Sequence, residues 1–551
     1  MNYFLGFAFV AILWFLLSNF FRKKRIKKFV LLLEKNWGKP KKKPHYNFFV
    51  ISKYFKNNAH KEKTYHILSE KNKIDFDIDD VFKFIDRTTS KIGEQYLYFK
   101  LRTIGSLKEL LEFDKLTSIF QKNRNLSIAC QLELSKLNNN NSYYLEELIN
   151  DKQLEKPKHL LLVKALTITA IASIILMFWF PLFGLLLIPI FTANLVFHYK
   201  NKHSVTYYLN GVNQLSRALK VSKHLSKHSD IATHFKDLSF IENIKSIKFK
   251  TEFIAFEKNV DNEFLFAFWF LAEIIKIFFN VEYLMFYSFL DAITKKRKSI
   301  EKMFLFIGEI DAAISTASLK AGNLKTCTPT FNDSSELEVK EIYHPLIENC
   351  IANDVYLSEK SMLLTGSNMS GKTTFIRTVA INSILAQTFH ICFADSYNAP
   401  FYKIYSSIRI SDDLLESTSY YLQEVLTVKE LVEASKSNQP CLFVLDEIFK
   451  GTNTIERISG GKAILSYLNK KNHTVLVSTH DIELTELLER ENYSLYHFSE
   501  KIENNNLFFD HKIKTGKLKT RNAIKILGLY KYPSEIIEDA LYVEKSYFSK
   551  N

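Results

Sequence analysis

The chain has 551 residues and a net charge of +15 at pH 7, with 47% hydrophobic and 24% charged residues. This length excludes one ordinary domain and suits two or three, and the apolar content is enough for large cores. The basic balance suits anionic partners such as nucleic acid or acidic lipid, although a lysine-rich solvated surface explains it equally well. The five cysteines are scattered and show no metal-ligand spacing, which indicates free thiols in a reducing compartment.

Residues 1–21 are predicted to be a transmembrane anchor, because residues 2–21 carry no charge and about 20 apolar residues span a hydrocarbon core. No basic segment precedes this stretch and no small-residue cleavage site follows it, which favours an uncleaved anchor over a signal peptide. Residues 22–43 contain eleven Lys or Arg and a single acid, Glu34. We therefore predict a basic juxtamembrane linker over 22–78, with the following chain in the cytoplasm.

A second apolar region, residues 165–198, carries no formal charge, and its roughly 50 Å of helix would be too long for one crossing. The turn signal at Phe180–Gly184 predicts a transmembrane hairpin over 161–199, and hence a multi-pass protein of the cytoplasmic or inner membrane. A buried helical pair in a soluble core is the alternative. The Phe-rich stretch 264–290 carries Glu273 and other charges, so we predict an amphipathic helix of a soluble bundle there.

The rest of the chain changes character near Val339. Before it, glycine is absent from residues 212–307, which favours long uninterrupted helices. After it, short apolar runs alternate with helical patterns, as in a parallel α/β sheet. The predicted fold class is therefore α plus α/β. It combines transmembrane helices, a long-helix domain, and a P-loop NTPase domain over 326–532 with a parallel-rich sheet flanked by helices.

The segment GSNMSGKT at Gly366–Thr373 fits the pattern G-x-x-x-x-G-K-[ST]. A predicted strand before it and a predicted helix after it supply the context that a P-loop requires. Backbone N–H groups would surround the phosphates of ATP, Lys372 would contact the β- and γ-phosphates, and Thr373 would bind Mg²⁺. The predicted ATP-binding residues of this loop are Gly366, Ser367, Asn368, Met369, Ser370, Gly371, Lys372, Thr373 and Thr374.

The run CLFVLDE predicts a buried strand that ends in two acids, Asp446 and Glu447. We expect Asp446 to hold the Mg²⁺ shell and Glu447 to act as the general base toward the attacking water. A further run, TVLVSTHD, predicts a strand that ends at His480, which could sense the γ-phosphate or orient the water. The structural alternatives are a solvated strand end for the acids and an ordinary strand-end histidine.

Together these segments resemble the MutS family of DNA mismatch-repair ATPases. TGSNMSGKTTFIRTVA is similar to the family's TGPNMGGKS-type loop, with Ser367 and Ser370 in place of Pro and Gly. LDEIFKGTNTIER resembles LDEIGRGTSTxDG, with Phe449 for Gly and Lys450 for Arg. STHDIELTELL resembles ATHYFELTEL, with Asp481 in place of the aromatic residue.

Other segments that bear the resemblance imply a site shared between two subunits. SDDLLESTSYYLQEV is similar to DDLxxGxSTFxxEM and aligns Asp412, Asp413, Ser419, Tyr421 and Glu424 with family positions. The resemblance implies that Ser419 reaches the γ-phosphate bound by a partner subunit. YHPLIE resembles RHPxxE, and the following IANDVYL implies that Ile351 packs against adenine.

Upstream, residues 79–104 and 306–317 resemble the start and the end of the family's core helices. The resemblance implies core and lever helices over 79–160 and 200–325, with the hairpin inserted between them, and a helical dimerisation tail over 533–551. No mismatch-reading domain with its Phe-x-Glu wedge and no Smr-type nuclease domain can be aligned. The chain thus resembles a divergent, membrane-anchored branch of the family, for which mismatch recognition is not expected.

These features predict a membrane-anchored ATPase that hydrolyses ATP·Mg²⁺ at a homodimer interface, with DNA binding implied by the resemblance. The segment His511–Lys525 has six Lys or Arg and no acid, which suits a phosphate backbone, although a solvated loop fits equally well. One alternative is a membrane-associated, ATP-driven switch or assembly factor that does not bind nucleic acid. An exporter is less favoured, because three crossings are few for a transport path and no LSGGQ loop precedes the acids.

Overall fold

The computed structural model describes residues 2–42, 45–58, 64–149, 159–245, 273–358, 360–409, 420–503, 506–518 and 523–548. These residues form two compact units. Unit 1 comprises Met1–Lys61, Ile85–Phe99 and Phe113–Gly322, and unit 2 comprises Glu62–Phe84, Lys100–Glu112 and Asn323–Asn551. Asp412, Asp413 and Ser419 lie outside the described residues, as do residues 264–272 of the amphipathic helix predicted over 264–290.

Helices make up most of unit 1 and alternate with strands in unit 2. In chain order they are Asn2–Asn36, Phe48–Ile51, Lys53–Asn58, Glu70–Asp75, Ile78–Ile85, Lys91–Arg102, Leu107–Lys122, Arg124–Leu134, Leu160–Leu176, Leu187–Leu225, Ser229–His234, Val281–Lys320, Lys372–Phe389, Tyr420–Ala434, Thr454–Leu468, Glu483–Glu489, Ala523–Leu529 and Ser534–Phe548.

The helix Val281–Lys320 supplies the centre of the unit 1 core. Its buried side chains recur every three or four residues, which places them on one face of the helix: Ile300, Met303, Phe304, Ile307, Ile310 and Ile314. The Asp311 carboxylate on this helix is fully buried and accepts hydrogen bonds from the backbone N–H of Thr89 at 2.8 Å and of Ser90 at 2.7 Å. These bonds hold the residues just before the helix Lys91–Arg102 against the helix Val281–Lys320, and so join two segments that are distant in sequence.

The apolar region predicted as a hairpin forms the helices Leu160–Leu176 and Leu187–Leu225, with a 3₁₀ turn at Pro181–Leu186 between them. The two helices contact each other, and Leu161, in the first of them, is 82% exposed. Among the described residues, the stretch Pro181–Tyr199 is long and apolar enough to cross a membrane, with a mean hydropathy of 1.8 and 11% of it buried.

The three predicted crossings therefore reduce to one candidate span in the part of the chain that the structure describes. The helix Leu160–Leu176 has 17 residues, so its length of about 25 Å is shorter than a hydrocarbon core of about 30 Å. The predicted anchor lies within the helix Asn2–Asn36, which continues through the first part of the basic run. The multi-pass arrangement is thus not supported, because one stretch of the described residues has the length and hydropathy of a span.

The strands all lie in unit 2. In chain order they are β1 His66–Ile67, β2 Thr103–Ile104, β3 Thr330–Phe331, β4 Leu337–Ile342, β5 Asn353–Leu357, β6 Ser361–Thr365, β7 Ser396–Ala399, β8 Lys403–Ser407, β9 Cys441–Asp446, β10 Thr474–Thr479, β11 Tyr493–His497, β12 Glu500–Glu503, β13 Asn506–Phe509 and β14 Lys514–Thr515. The largest sheet has the order β14-β11-β6-β10-β9-β8, and a second sheet has the order β3-β7-β4-β5.

The large sheet is parallel from β11 to β8, and only β14 pairs antiparallel. Its central strands β6 and β10 are buried along their whole length, as expected for parallel strands covered on both faces. Register places Leu364 opposite Ser478, and Ser478 opposite Asp446. The loops that follow β6, β9 and β10 therefore meet at one edge of the sheet, which is where ligands bind in open parallel sheets.

Candidate nucleotide site

The phosphate-loop segment forms the strand, loop and helix that its sequence predicts. Strand β6 leads to Gly366, a 3₁₀ turn spans Asn368–Ser370, and Gly371 precedes the helix Lys372–Phe389. Gly366 has φ = 146° and Gly371 has φ = 102°, values that L side chains rarely adopt. A Cβ on Gly366 would also lie 2.9 Å from the carbonyl oxygen of Phe498, so both glycines are needed for the loop to curl.

The Lys372 side chain lies inside this loop. Its Nζ donates hydrogen bonds to the carbonyl oxygens of Gly366 at 2.7 Å and of Ser367 at 2.9 Å. Burial lowers the pKa of Lys372 to about 8, although the nearby Glu447 and Asp446 carboxylates oppose the shift. Ser367 Oγ is buried in the same loop and has no hydrogen-bond partner among the described residues, so the loop fits a ligand with acceptor oxygens such as a phosphate.

Asp446, the last residue of β9, faces the start of the P-loop helix. Its Oδ2 accepts a hydrogen bond from Thr373 Oγ1 at 2.9 Å, and its Oδ1 accepts one from Ser478 Oγ. Carboxylate and hydroxyl oxygens are the protein ligands that suit Mg²⁺, directly or through water. Thr373 and Asp446 thus form a donor set that fits Mg²⁺ beside the phosphate loop.

Glu447 follows Asp446 with a left-handed backbone, φ = 53°, and its backbone N–H donates to the carbonyl oxygen of Ser478 at 2.9 Å. Its carboxylate lies 2.6 Å from His480 Nε2 and 3.2 Å from Lys450 Nζ. The hydrogen bond from His480 is the main reason that the pKa of Glu447 falls to about 2. Each carboxylate oxygen of Glu447 therefore has one cationic or hydrogen-bonding neighbour in the site.

The loop after Glu447 is held by Glu424, on the helix Tyr420–Ala434. Glu424 is 1% exposed, and its carboxylate accepts backbone hydrogen bonds from Phe449, Lys450 and Gly451. Burial is the main cause of the raised pKa of Glu424, and these hydrogen bonds oppose the shift. Sequence reasoning aligned Glu424 with a family position but gave it no role, because no local pattern shows which loop it caps.

Phe449 also has a left-handed backbone, with φ = 61°. Its ring is 7% exposed and lies 5.9 Å, between centroids, from the ring of Tyr421. A Cβ on Gly460 would lie 3.2 Å from Phe449 Cε2, so the glycine at 460 makes room for this ring. The family motif has glycine at position 449, and the positive φ explains that preference.

A cavity of about 430 Å³ lies beside the phosphate loop, within the size range of small-ligand pockets. Its walls combine loop residues with apolar and aromatic side chains, among them Ile342, Tyr343, Ile347, Ile351, Met369, Thr374, Phe375, Phe498 and His511. Its size and mainly apolar walls fit a nucleoside. Ile351, predicted to pack against adenine, is one of these wall residues and is 40% exposed.

His511 lines this cavity but was absent from the predicted site. Its Nδ1 lies 3.1 Å from the carbonyl oxygen of Ser370, and Asn353 Nδ2 donates to the carbonyl oxygen of His511 at 3.0 Å. More than a hundred residues separate His511 from each of these partners in sequence. The only sequence signal was its position at the start of the basic segment, which pointed to a different role.

The structure thus brings together Lys372, Thr373, Asp446, Glu447 and His480 at one edge of the sheet. Comparison with known protein families identifies this region. The family model for MutS domain V matches residues 362–547. About a third of the chain is therefore similar to MutS domain V.

Three curated relatives are DNA mismatch repair proteins MutS. The protein from Listeria welshimeri is 33% identical over 274 residues, which cover 47% of this chain and 31% of the relative. The protein from Staphylococcus epidermidis is 30% identical over 282 residues, with shares of 49% and 32%. The protein from Clostridioides difficile is 31% identical over 281 residues, with shares of 48% and 29%. The chain therefore spans about a third of the length of the MutS proteins it matches.

One departure from the MutS motif has a structural counterpart. Asp481, which stands where the motif has an aromatic residue, accepts two hydrogen bonds from the Arg457 guanidinium, at 2.7 and 2.9 Å. This bidentate pair joins the helix Thr454–Leu468 to the loop that carries His480. An ion pair thereby anchors this loop beside the site.

Proposed function

We propose that this chain is a membrane-associated MutS-family ATPase that binds ATP·Mg²⁺ at the site around Lys372 and hydrolyses it between two subunits. The observation that carries the proposal is the meeting of a phosphate loop, a Thr–Asp oxygen pair and a Glu–His pair at one sheet edge. The match of residues 362–547 to MutS domain V supports the same activity.

Each residue has a role that follows from its position. Lys372 and the loop N–H groups bind the phosphates, and Thr373 with Asp446 holds Mg²⁺, which supplies charge neutralisation at the phosphates. Glu447 orients the attacking water and receives its proton, while His480 holds the Glu447 carboxylate in place. Ile351 and the apolar wall of the cavity bind the base.

The dimer in this proposal rests on the resemblance of the Ser419 segment and on the C-terminal helix. Ser419 lies outside the described residues, so its reach toward a second subunit remains a prediction. The helix Ser534–Phe548 leaves Ile536 48% and Tyr542 73% exposed, and a second copy of the chain would cover such side chains. Closing the site with a second subunit would exclude water from the phosphates.

Membrane association rests on the apolar segments. Pro181–Tyr199 has the length and hydropathy of a span and is mostly exposed, and Trp14 and Phe15 on the N-terminal helix are 72% and 62% exposed. Such side chains are costly in water unless lipid or another partner covers them. We place the ATPase on the cytoplasmic side because of the basic run at 22–43.

DNA is the proposed regulator of hydrolysis, and the relatives' names as DNA mismatch repair proteins support it. The basic segment His511–Lys525 does not add to this support. Lys514 pairs with Asp510 at 2.6 Å and Lys517 with Glu489 at 3.0 Å, so much of its described charge is already compensated. This compensation favours the second candidate, an ATP-driven membrane switch without nucleic acid.

One assay distinguishes the two candidate functions, because they predict different results in it. The full chain in detergent is assayed for ATP hydrolysis with duplex, branched and mismatched DNA over a range of salt concentrations. The first candidate predicts stimulation that weakens steeply with salt, because phosphate contacts release counterions. If none of these DNAs changes the rate at any salt concentration, the switch is the better description. Replacing Lys514 and Lys517 by Gln should leave the salt slope unchanged.

A further inference from the structure

The N-terminal helix Asn2–Asn36 borders two adjoining cavities in unit 1. One, of about 1120 Å³, has walls that combine the apolar side chains Trp14, Leu17, Phe21 and Ile26 with the basic side chains Arg22, Arg25 and Lys136. The other, of about 530 Å³, has Phe29, Leu32 and Trp37 on one side and basic side chains on the other. Phe29 and Asn138 line both cavities, so the two form one groove that we name the juxtamembrane groove.

Basic side chains outnumber acidic ones in both cavities, and the excess is larger in the second. The second cavity is lined by five Lys or Arg and by one acid, Glu94: the basic residues are Lys39, Lys41, Lys42, Arg87 and Lys91. Lys41 and Lys91 pair with Glu94 at 3.3 and 2.9 Å. Lys39 and Lys42 are exposed and form no ion pair with any residue that the structure describes. A surplus of positive charge therefore remains at the downstream end of the groove.

The walls of this cavity are held in place by contacts within unit 1. The Arg124 guanidinium stacks on the Trp37 ring at 3.7 Å and donates to the carbonyl oxygen of Leu33 at 3.0 Å. The backbone N–H of Gly38 donates to Ser318 Oγ at 3.0 Å. Lys41 Nζ lies 2.6 Å from the buried Asp86 carboxylate. These contacts fix the position of the basic side chains that follow the C-terminal end of the helix Asn2–Asn36.

We propose that the juxtamembrane groove binds one anionic phospholipid. Its phosphate would lie at Lys39 and Lys42, and its acyl chains would lie along the apolar side chains Phe29, Ile26 and Trp14. Apolar and aromatic side chains beside a cluster of cations complement the two parts of such a lipid. The site is separate from the nucleotide site and does not depend on ATP hydrolysis.

The test uses the full chain purified in a non-ionic detergent and native mass spectrometry to measure binding of dihexanoyl phosphatidylglycerol. Dihexanoyl phosphatidylcholine, which has no net charge, and inorganic phosphate, which has no acyl chain, are titrated in parallel. The proposal predicts saturable binding of one phosphatidylglycerol and much weaker binding of the other two. Equal binding of phosphatidylcholine, or displacement of the lipid by inorganic phosphate at equal concentration, would overturn it.

Two matched double variants separate the site from general charge attraction. Lys39→Gln with Lys42→Gln removes two charges from the groove, and Lys23→Gln with Lys24→Gln removes two exposed charges of the same helix that line neither cavity. The first pair should weaken phosphatidylglycerol binding about tenfold or more, since each lysine near an anionic lipid contributes about 1 kcal/mol. The second pair should leave binding unchanged, and equal losses in both pairs would refute the site.

Discussion

Replacing Phe449 by glycine should destabilise unit 2 less than replacing it by alanine, the reverse of the usual order. The ring is buried, so losing it in either variant costs about 3–5 kcal/mol. The backbone at 449 has φ = 61°, which costs a residue with a Cβ roughly 1–2 kcal/mol. Glycine removes that cost. The greater freedom of glycine in the unfolded chain lowers the stability by about 0.4–1 kcal/mol. The glycine variant should therefore be the more stable by about 1 kcal/mol.

Differential scanning calorimetry of the full chain can measure this difference. The transition of unit 2 is identified as the one that rises in temperature when ATP and Mg²⁺ are added, because a ligand stabilises the unit that binds it. Phe443, in β9 and fully buried, is the matched control, since its φ is not positive. There, alanine should be more stable than glycine, as in an ordinary strand.

The reasoning is refuted if alanine is more stable than glycine at both positions by the same margin. That result would mean that the left-handed backbone at Phe449 carries no cost in the native state. A loss well below 3–5 kcal/mol for both Phe449 variants would instead mean that the ring contributes little to the packing over Gly460.

Three further predictions concern the site chemistry. Thr373→Ala should raise the Mg²⁺ concentration needed for ATP binding, whereas Thr373→Ser keeps the hydroxyl beside Asp446 and should not. A Mg²⁺ titration of bound fluorescent ATP distinguishes the two variants. Equal curves would contradict a Mg²⁺ site at Thr373 and Asp446. His480→Ala removes the donor that holds the pKa of Glu447 at about 2, so that pKa should rise toward 4.5. The acid limb of the kcat/KM profile should then move to higher pH. An unmoved limb would exclude Glu447 as the titrating group. Ile351→Ala should weaken ATP binding about fivefold, the equivalent of about 1 kcal/mol of apolar contact. Binding of inorganic triphosphate should not change. Equal losses of affinity for both ligands would place Ile351 away from the base.

The local features of the site could be predicted because each depends on a short segment of the sequence. A buried strand before Gly366 and a helix after it define the phosphate loop. Strand β9 ends at Asp446, and His480 directly follows strand β10. Parallel neighbours place these ends at one edge without further information. The helical character of residues 281–320 likewise followed from the absence of glycine before Gly308.

The contacts between distant segments could not be predicted in this way. The approach of His511 to Ser370 depends on the path of β13 and β14, and no pattern near His511 indicates it. The left-handed backbone at Phe449 was hidden because the residue is not glycine. The pairing of Lys514 and Lys517 with carboxylates compensates much of the described charge of this basic segment, which its sequence did not show.

The apolar segments show a related limit. Composition predicted three crossings, but composition does not fix where a helix ends, and the first hairpin helix has 17 residues. Pro181 begins the 3₁₀ turn that separates it from the second helix, as expected for a residue that cannot continue the first. Among the described residues, Pro181–Tyr199 is the stretch that combines the length and the hydropathy of a span.

Steady-state ATP hydrolysis by Glu447→Gln, compared with Glu433→Gln as a surface control, tests the nucleotide site most directly. Glu433 is exposed and pairs with Lys436, so its variant should turn over ATP like the unmodified chain. Glu447→Gln keeps the shape of the side chain but cannot take a proton, so kcat should fall about 10²–10⁴-fold with ATP still bound. Turnover by Glu447→Gln at the rate of the control would contradict the assignment of this site as the one that hydrolyses ATP.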